Sequence, residues 1–217
     1  MQHESRHHRR VGSGFVSDAV ATIQSPFPDL NKEKNMKTLV IAAHPNLAQS
    51  TVNQRWLAEL AKHPSRYTVH ALYDAYPDGK IDVAREQALV EAHGSLVFQF
   101  PVYWFNCPPL LKQWFDDVLA YGWAYGSKGK ALAERKTGIA VSLGAPAADY
   151  RANGAVGCTV AEALRPFELS MRYCNANWQP LFAFHTIDSN AGYDDNAKKL
   201  VAQSAADYMA HLEKHYT

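Results

Sequence analysis

From residue 36 onward, the periodicity of apolar positions switches repeatedly between strand-like runs and helical stripes. Residues 36–43 form an apolar run behind a short polar start, which suits a parallel strand buried on both faces. His44, Pro45 and Asn46 interrupt it. Ser50 stands where a helix cap belongs, and Val52, Trp56, Leu57 and Leu60 then share one helical face until His63 and Pro64 end the pattern. Residues 67–73 predict a second strand, and Tyr76 to Gly79 a turn. Residues 82–93 predict a charged amphipathic helix that carries Val83, Ala84, Leu89 and Val90 and is closed by Gly94. Residues 95–100 are a third strand. Pro108 and Pro109 suit a first helical turn, and Leu111, Trp114, Phe115, Val118 and Leu119 continue it as an apolar stripe opposite Lys112, Gln113, Asp116 and Asp117. Residues 137–144 predict a fourth strand, residues 159–173 a helix kinked at Pro166, residues 178–185 a fifth strand and residues 194–215 a closing helix.

Five short apolar strands alternating with five helices give the rhythm of an α/β doubly wound parallel sheet. The natural strand order is 2-1-3-4-5, the flavodoxin-like arrangement, which places a ligand between strands 1 and 3. No repeat or linker divides residues 36–217, so they are expected to form one domain. Residues 1–35 differ. They begin with a His- and Arg-rich stretch, have no sustained period and lack the apolar core of a secretory signal. Lys32 and Glu33 can be encoded as a ribosome-binding sequence just ahead of Met36. Residues 1–35 are therefore expected to be either a translated leader ahead of a true start at Met36 or a disordered tail.

Composition narrows the class. Hydrophobic content is 47% and charged content 20% over 217 residues, ordinary for a soluble globular protein. A formal net charge of +1 gives no reason to expect nucleic acid or an anionic membrane as partner. No apolar run approaches the roughly 20 residues of a membrane span. Cys107, Cys158 and Cys174 match no metal or disulfide spacing, which fits free thiols in a reducing cytoplasmic setting.

Candidate chemistry gathers at the carboxyl ends of the strands. His44 to Asn53 is a loop entering a helix amino terminus, where free amides and the dipole favour an anion such as phosphate. Ser50, Thr51, Asn53 and His44 add side-chain donors; a capping serine with an incidental histidine is the plainer reading. The dinucleotide glycine fingerprint and the P-loop lysine motif are both absent, which disfavours a Rossmann-type NAD protein or a P-loop ATPase. Strand 3 ends in Pro101, Val102, Tyr103, Trp104 and Phe105, and strand 4 in Ser142, Leu143, Gly144 and Ala145. In the assumed order these loops share an edge with His44 and could hold a phosphate at one end and a planar ring at the other.

Three separated motifs carry a family resemblance: His44-Pro45 with Ser50 to Asn53; Phe100 to Trp104 with Pro108 to Asp116 and Gly122 to Gly126; and Ser142 to Ala145 with Tyr150. On these, residues 36–217 resemble the flavodoxin-like NAD(P)H:quinone oxidoreductases, and within them the short bacterial members, including ancillary flavoproteins of glutathione-gated potassium efflux. The resemblance implies a tightly bound flavin. His44 and Ser50, Thr51, Val52 and Asn53 would hold its phosphate; Pro101 to Trp104 would run along the isoalloxazine; Ser142 to Ala145 would close over the ring edge. Tyr150 matches a family tyrosine beside the flavin and is the catalytic candidate. Tyr125 matches a substrate-pocket tyrosine supplied across a homodimer interface, and Phe105 joins it as a substrate-binding candidate. Chain length similar to the short members implies FMN rather than FAD, with NADH or NADPH as donor, a quinone as acceptor and ping-pong hydride transfer.

Two departures qualify the carry-over. The family commonly has Thr-Thr-Gly-Gly where this chain has Ser142 to Ala145, and Val156 replaces the histidine of the mammalian enzymes, so a histidine-assisted relay does not transfer. Other readings of the same features are a regulatory subunit of a potassium efflux system, a one-electron flavodoxin-type carrier, and azo or nitro reduction. His185 is expected to brace a loop or line the pocket, Cys107 to fill apolar space, and His70 and His93 to face solvent. The stripe from Leu111 to Leu119 is expected to serve both core and dimer interface.

Overall fold

The computed structural model describes residues 36–185 and 192–216; the expected tail at residues 1–35 lies outside them. The strands are β1 Thr38–Ala42, β2 Tyr67–Ala71, β3 Ser95–Pro101, β4 Lys136–Ser142, β5 Asn177–Trp178 and β6 Phe182–Phe184. They pair in parallel in the order β2-β1-β3-β4-β5, with β6 also on β4. The expected order thus stands, with one correction. The predicted fifth strand is broken into β5 and β6, because Pro180 lies between them and has no amide to donate to the ladder.

The helices are α1 Thr51–Leu60, α2 Leu72–Ala75, α3 Val83–Glu91, α4 Pro109–Val118, α5 Val160–Ala163, α6 Arg165–Tyr173 and α7 Asp195–Tyr216. The second strand is shorter than predicted, ending at Ala71 where the chain turns into α2. The helix expected over residues 159–173 is two helices meeting at Leu164, which places Pro166 in the first turn of α6 rather than in a helix interior. Helix starts follow local chemistry. Ser50 accepts from the Asn53 amide at 3.3 Å, Asp82 accepts from the Arg85 amide at 3.0 Å, and Thr159 with Glu162 forms a capping box.

Side chains alternate across the sheet, so each strand feeds two cores. Leu39, Ile41, Leu96, Phe98, Phe100, Ile139 and Val141 pack with buried residues of α3, α4 and α6. Val40, Val97 and Ala140 pack on the other face with Trp56 of α1 and with Val201, Tyr208 and Leu212 of α7. This two-sided burial explains the unbroken apolar runs of β1, β3 and β4.

Three expectations are corrected in these layers. Leu111, Trp114, Phe115 and Val118 of α4 are buried within this one chain and belong to its core, which leaves only the half-buried Leu119 of the stripe for an interface. His70 and His93 are buried. His93 Nδ1 lies 2.7 Å from the Leu89 carbonyl, and His70 Nε2 lies 2.9 Å from Glu86 Oε1. Glu86 itself, on the charged amphipathic helix, is 0% exposed. Its carboxylate accepts from the Tyr76 hydroxyl and the Trp114 indole, both at 2.7 Å. The His70 nitrogen lies close to Glu86 but makes no well-directed hydrogen bond to it.

Candidate functional site

The register levels the strand ends. Ala42 lies opposite Gln99, Pro101 opposite Ser142, and Ser142 opposite Phe184. The connection from β1 leads to β2 and that from β3 leads to β4 on the other side, so the gap between β1 and β3 is where a crevice opens.

On the β1 side, the first intrahelical bond of α1 runs from the Gln54 amide to the Ser50 carbonyl at 2.9 Å. The amides of Thr51 and Val52 precede it and have no intrahelical acceptor, so the helix start presents donors and a positive dipole end. His44 is half-buried, and burial pushes its imidazole below the ordinary value. Its Nδ1 accepts from the Asn46 amide at 3.1 Å, which leaves Nε2–H as a neutral donor. The His44 ring meets Tyr103 edge-on at 6.5 Å between centroids.

Asn53 ties the first loop to the third. Its side-chain amide donates to Ser50 Oγ at 3.1 Å and to Ser142 Oγ at 3.2 Å. Gln99, buried in β3, donates to Asn53 Oδ1 at 3.2 Å. Gln99 was not among the sequence candidates. Its only signal was an amide inside an otherwise apolar strand.

The strand 3 loop is a two-residue hairpin. Tyr103 and Asn106 exchange backbone hydrogen bonds at 2.8 and 3.0 Å around Trp104 and Phe105. These two adopt φ of 48° and 60°, the left-handed pair of a tight turn that usually uses Asn-Gly. Trp104 is 93% exposed. A bulky pair held in a costly conformation with its rings in solvent is what a site for a flat ligand would require. Phe105 meets Tyr150 at 6.5 Å, and Tyr150 meets His185 at 5.7 Å. His185 Nδ1 lies 3.2 Å from the Ala145 carbonyl, so it braces the strand 4 loop while flanking Tyr150. Burial pushes the Tyr150 phenol up, with the neighbouring Cys158 and Asp149 adding to the shift, so it stays a proton donor through neutral pH.

Several candidate residues turn their side chains into the core and can offer the crevice only backbone groups. Val52, Pro101 and Leu143 are buried. The Leu143 amide donates to the Phe184 carbonyl at 2.8 Å, and the Val102 amide to the Ser142 carbonyl at 2.9 Å. Thr51 is half-buried, Gly144 exposed and Ala145 half-buried. Tyr125 keeps separate company: its ring contacts are Tyr121 at 5.7 Å and Tyr173 at 5.4 Å. Cys107 is buried, and burial pushes its thiol up to about 11, as suits an inert filler. A cavity of about 430 Å³ lies between α1 and α7, but its cations are paired, Arg55 with Glu59 and Lys198 with Asp195. Among the described residues no helix is long and apolar enough to cross a membrane.

The donors thus cluster at one end of the crevice and flat aromatic surface at the other, which fits an aromatic ring system carrying a phosphate. Comparison with known proteins accords with this. General stress protein 14 of Treponema denticola, crystallised in complex with FMN, is 62% identical, with 82% of this chain and 98% of that chain covered and a TM-score of 0.78. A Bacillus subtilis (strain 168) protein named an uncharacterized NAD(P)H oxidoreductase, YrkL, is 44% identical over 175 residues, 80% of this chain and 100% of its own. The glutathione-regulated potassium-efflux system ancillary protein KefG of Cronobacter sakazakii is 42% identical over 149 residues, 68% of this chain and 80% of its own. The family model described as the flavodoxin-like fold matches residues 36–212, and the chain belongs to that family.

Proposed function

We propose that this protein is a cytoplasmic FMN-dependent NAD(P)H:quinone oxidoreductase acting as a homodimer. The observation that carries this reading is the Asn53 amide joining the β1 and β4 loops beside an aromatic hairpin held open in the left-handed region. The 62% identical relative crystallised with FMN supports the choice of cofactor, and the likeness to a protein named an NAD(P)H oxidoreductase supports the donor.

FMN, when bound, supplies acceptance of a hydride from NAD(P)H and its delivery to an acceptor. The chain's own residues supply binding and orientation. The Thr51 and Val52 amides, with His44 Nε2–H and Ser50, hold the phosphate through donors at a helix start. Tyr103 and Trp104 flank the ring. Phe105 and Tyr150, 6.5 Å apart between ring centroids, would bound the space open to nicotinamide and quinone in turn. Tyr150, its phenol pushed up by burial, donates a hydrogen bond to the quinone oxygen without losing its proton. Tyr125 serves the neighbouring subunit's pocket. It lies beside Tyr121 and Tyr173, which are 74% and 71% exposed and form an aromatic surface suited to a second copy.

The test is the spectrum of the purified protein. A yellow protein that releases FMN, is bleached by NAD(P)H and is reoxidised by benzoquinone with parallel double-reciprocal lines is expected. A colourless protein that refuses FMN overturns the reading. The likeness to an ancillary protein of potassium efflux favours a second role, as a subunit of such a transporter. Co-purification with a membrane transporter from native membranes tests it.

A further inference from the structure

We infer that Gln99 is a positioning residue that sets the hydrogen-bond polarity of the cofactor cradle, leaving the Ser50 and Ser142 hydroxyls their protons to present to an acceptor ligand. The inference rests on the flavin reading above. It concerns a residue buried behind the crevice, on β3, that touches the cradle only through Asn53.

The direction of every bond in the chain is fixed by the one before it. The Gln99 amide nitrogen faces two acceptors, Asn53 Oδ1 at 3.2 Å and the Asn53 backbone carbonyl at 3.4 Å. Reversing the amide would set an oxygen against both, which is unfavourable. Asn53 Oδ1 must therefore point toward Gln99, and the Asn53 NH₂ toward the serines, one hydrogen to Ser50 Oγ and one to Ser142 Oγ. Ser50 Oγ also accepts from the Asn53 backbone amide at 3.3 Å, so both its lone pairs are used. What remains on Ser50 is its proton. Ser142 likewise accepts from Asn53 and keeps its proton for another partner. Ser50 is thereby held as a donor and Ser142 keeps its proton free beside one remaining lone pair, a pair of hydroxyls that suits a phosphate or a ring carbonyl better than a cation.

A second observation sets Gln99 apart from an ordinary packing residue. It is 1% exposed, and its Oε1 has no hydrogen-bond partner among the described residues. A buried acceptor left unpaired is unfavourable. An apolar side chain of similar length would avoid that cost, so the amide is explained by what its NH₂ does to Asn53.

The test compares Gln99→Glu with Gln99→Met by FMN binding, read as quenching of free flavin fluorescence. At a pH high enough to ionise it, a glutamate cannot donate to Asn53 Oδ1, so the Asn53 amide reverses and the serine protons turn inward. FMN affinity is expected to fall about 10- to 100-fold in Gln99→Glu, the loss of hydrogen bonds to a charged group. Gln99→Met removes the donor without reversing the chain and is expected to lose less. On acidification the buried glutamate takes up a proton and can donate again, so its deficit relative to wild type is expected to narrow. Affinities within twofold of wild type in both variants overturn the proposal. So do equal losses in both variants that do not change with pH. If the wild type itself refuses FMN, the flavin reading fails, and the polarity is then read by NMR of the apo protein. Both Asn53 side-chain amide protons are expected to be protected from exchange in wild type and not in Gln99→Met. Free exchange in the wild type overturns the proposal, and the same spectrum decides the matter if Gln99→Glu does not fold.

Discussion

Gly138 offers a test of how α7 docks on the sheet. It lies in β4, opposite Val97 of β3, with no side chain of its own. A Cβ added there would overlap the Tyr216 hydroxyl oxygen. Tyr216 ends α7, is buried, and its hydroxyl has no hydrogen-bond partner among the described residues. Gly138→Ala should therefore force the last turn of α7 off the sheet, at the roughly 1–3 kcal/mol typical of an overpacked core. Against this stands about 0.5–1 kcal/mol gained by replacing a strand glycine with alanine. The net expectation is a destabilisation of about 1–2 kcal/mol, or a fall in Tm of roughly 2–8 °C for a domain of this size. Tyr216→Phe removes the oxygen that clashes. Because that hydroxyl is buried and unpaired, its loss should be neutral or stabilising by about 1 kcal/mol. In the double variant the new Cβ meets the ring carbon and the Gln179 carbonyl oxygen, each at 3.4 Å, which are ordinary contacts. The double variant should thus melt at or above the wild type, with a coupling energy of about 1–3 kcal/mol. The assay is a double-mutant cycle by thermal or urea unfolding. A double variant as unstable as Gly138→Ala alone, or a Gly138→Ala indistinguishable from wild type, would refute the reasoning.

The aromatic hairpin should trade stability for binding: Trp104→Gly relieves a left-handed tryptophan and is expected to hold or raise apo stability by about 1 kcal/mol. The same variant should weaken FMN binding at least tenfold in fluorescence titration; loss of stability together with intact binding would contradict this. Around Glu86, burial opposes ionisation, but the His70 ring nitrogen beside it and the hydrogen bonds from Tyr76 and Trp114 outweigh it and hold the carboxyl below its ordinary 4.5. A depressed folded value means that the stability it contributes is present above about 4.5 and is lost as pH falls through the lower folded value. Glu86→Gln should cost about 1–3 kcal/mol at pH 7, since an amide cannot accept from both Tyr76 and Trp114, and should flatten the acid limb of urea midpoints; parallel profiles for variant and wild type would count against it.

The architecture was legible because β1, β3 and β4 are buried on both faces and must read as apolar runs. The crevice was legible because the residues that break those runs, His44, the Pro101 to Phe105 stretch and Ser142, fall at the strand ends. What escaped was long-range pairing. Glu86 and His93 are ordinary polar residues until Tyr76 and Trp114 reach the one and the Leu89 carbonyl the other, and no apolar period announces such partners, least of all Trp114, which lies 28 residues from Glu86. Gln99 was invisible for the same reason, its meaning lying in Asn53. The left-handed turn at Trp104 and Phe105 was hidden because neither residue favours it. The division of the last strand was legible in Pro180, had its missing amide been weighed against the apolar run around it.

That division has a consequence for how the protein behaves in a crowded solution. A sheet border offers unpaired amides and carbonyls on which another chain can template a strand. Here the border beyond β4 consists of a two-residue and a three-residue strand, with Pro180 between them. No incoming peptide could zip along it for more than a few bonds before meeting a residue with nothing to donate. The interruption that spoils the regularity of the sheet thus guards that border against edge-to-edge aggregation.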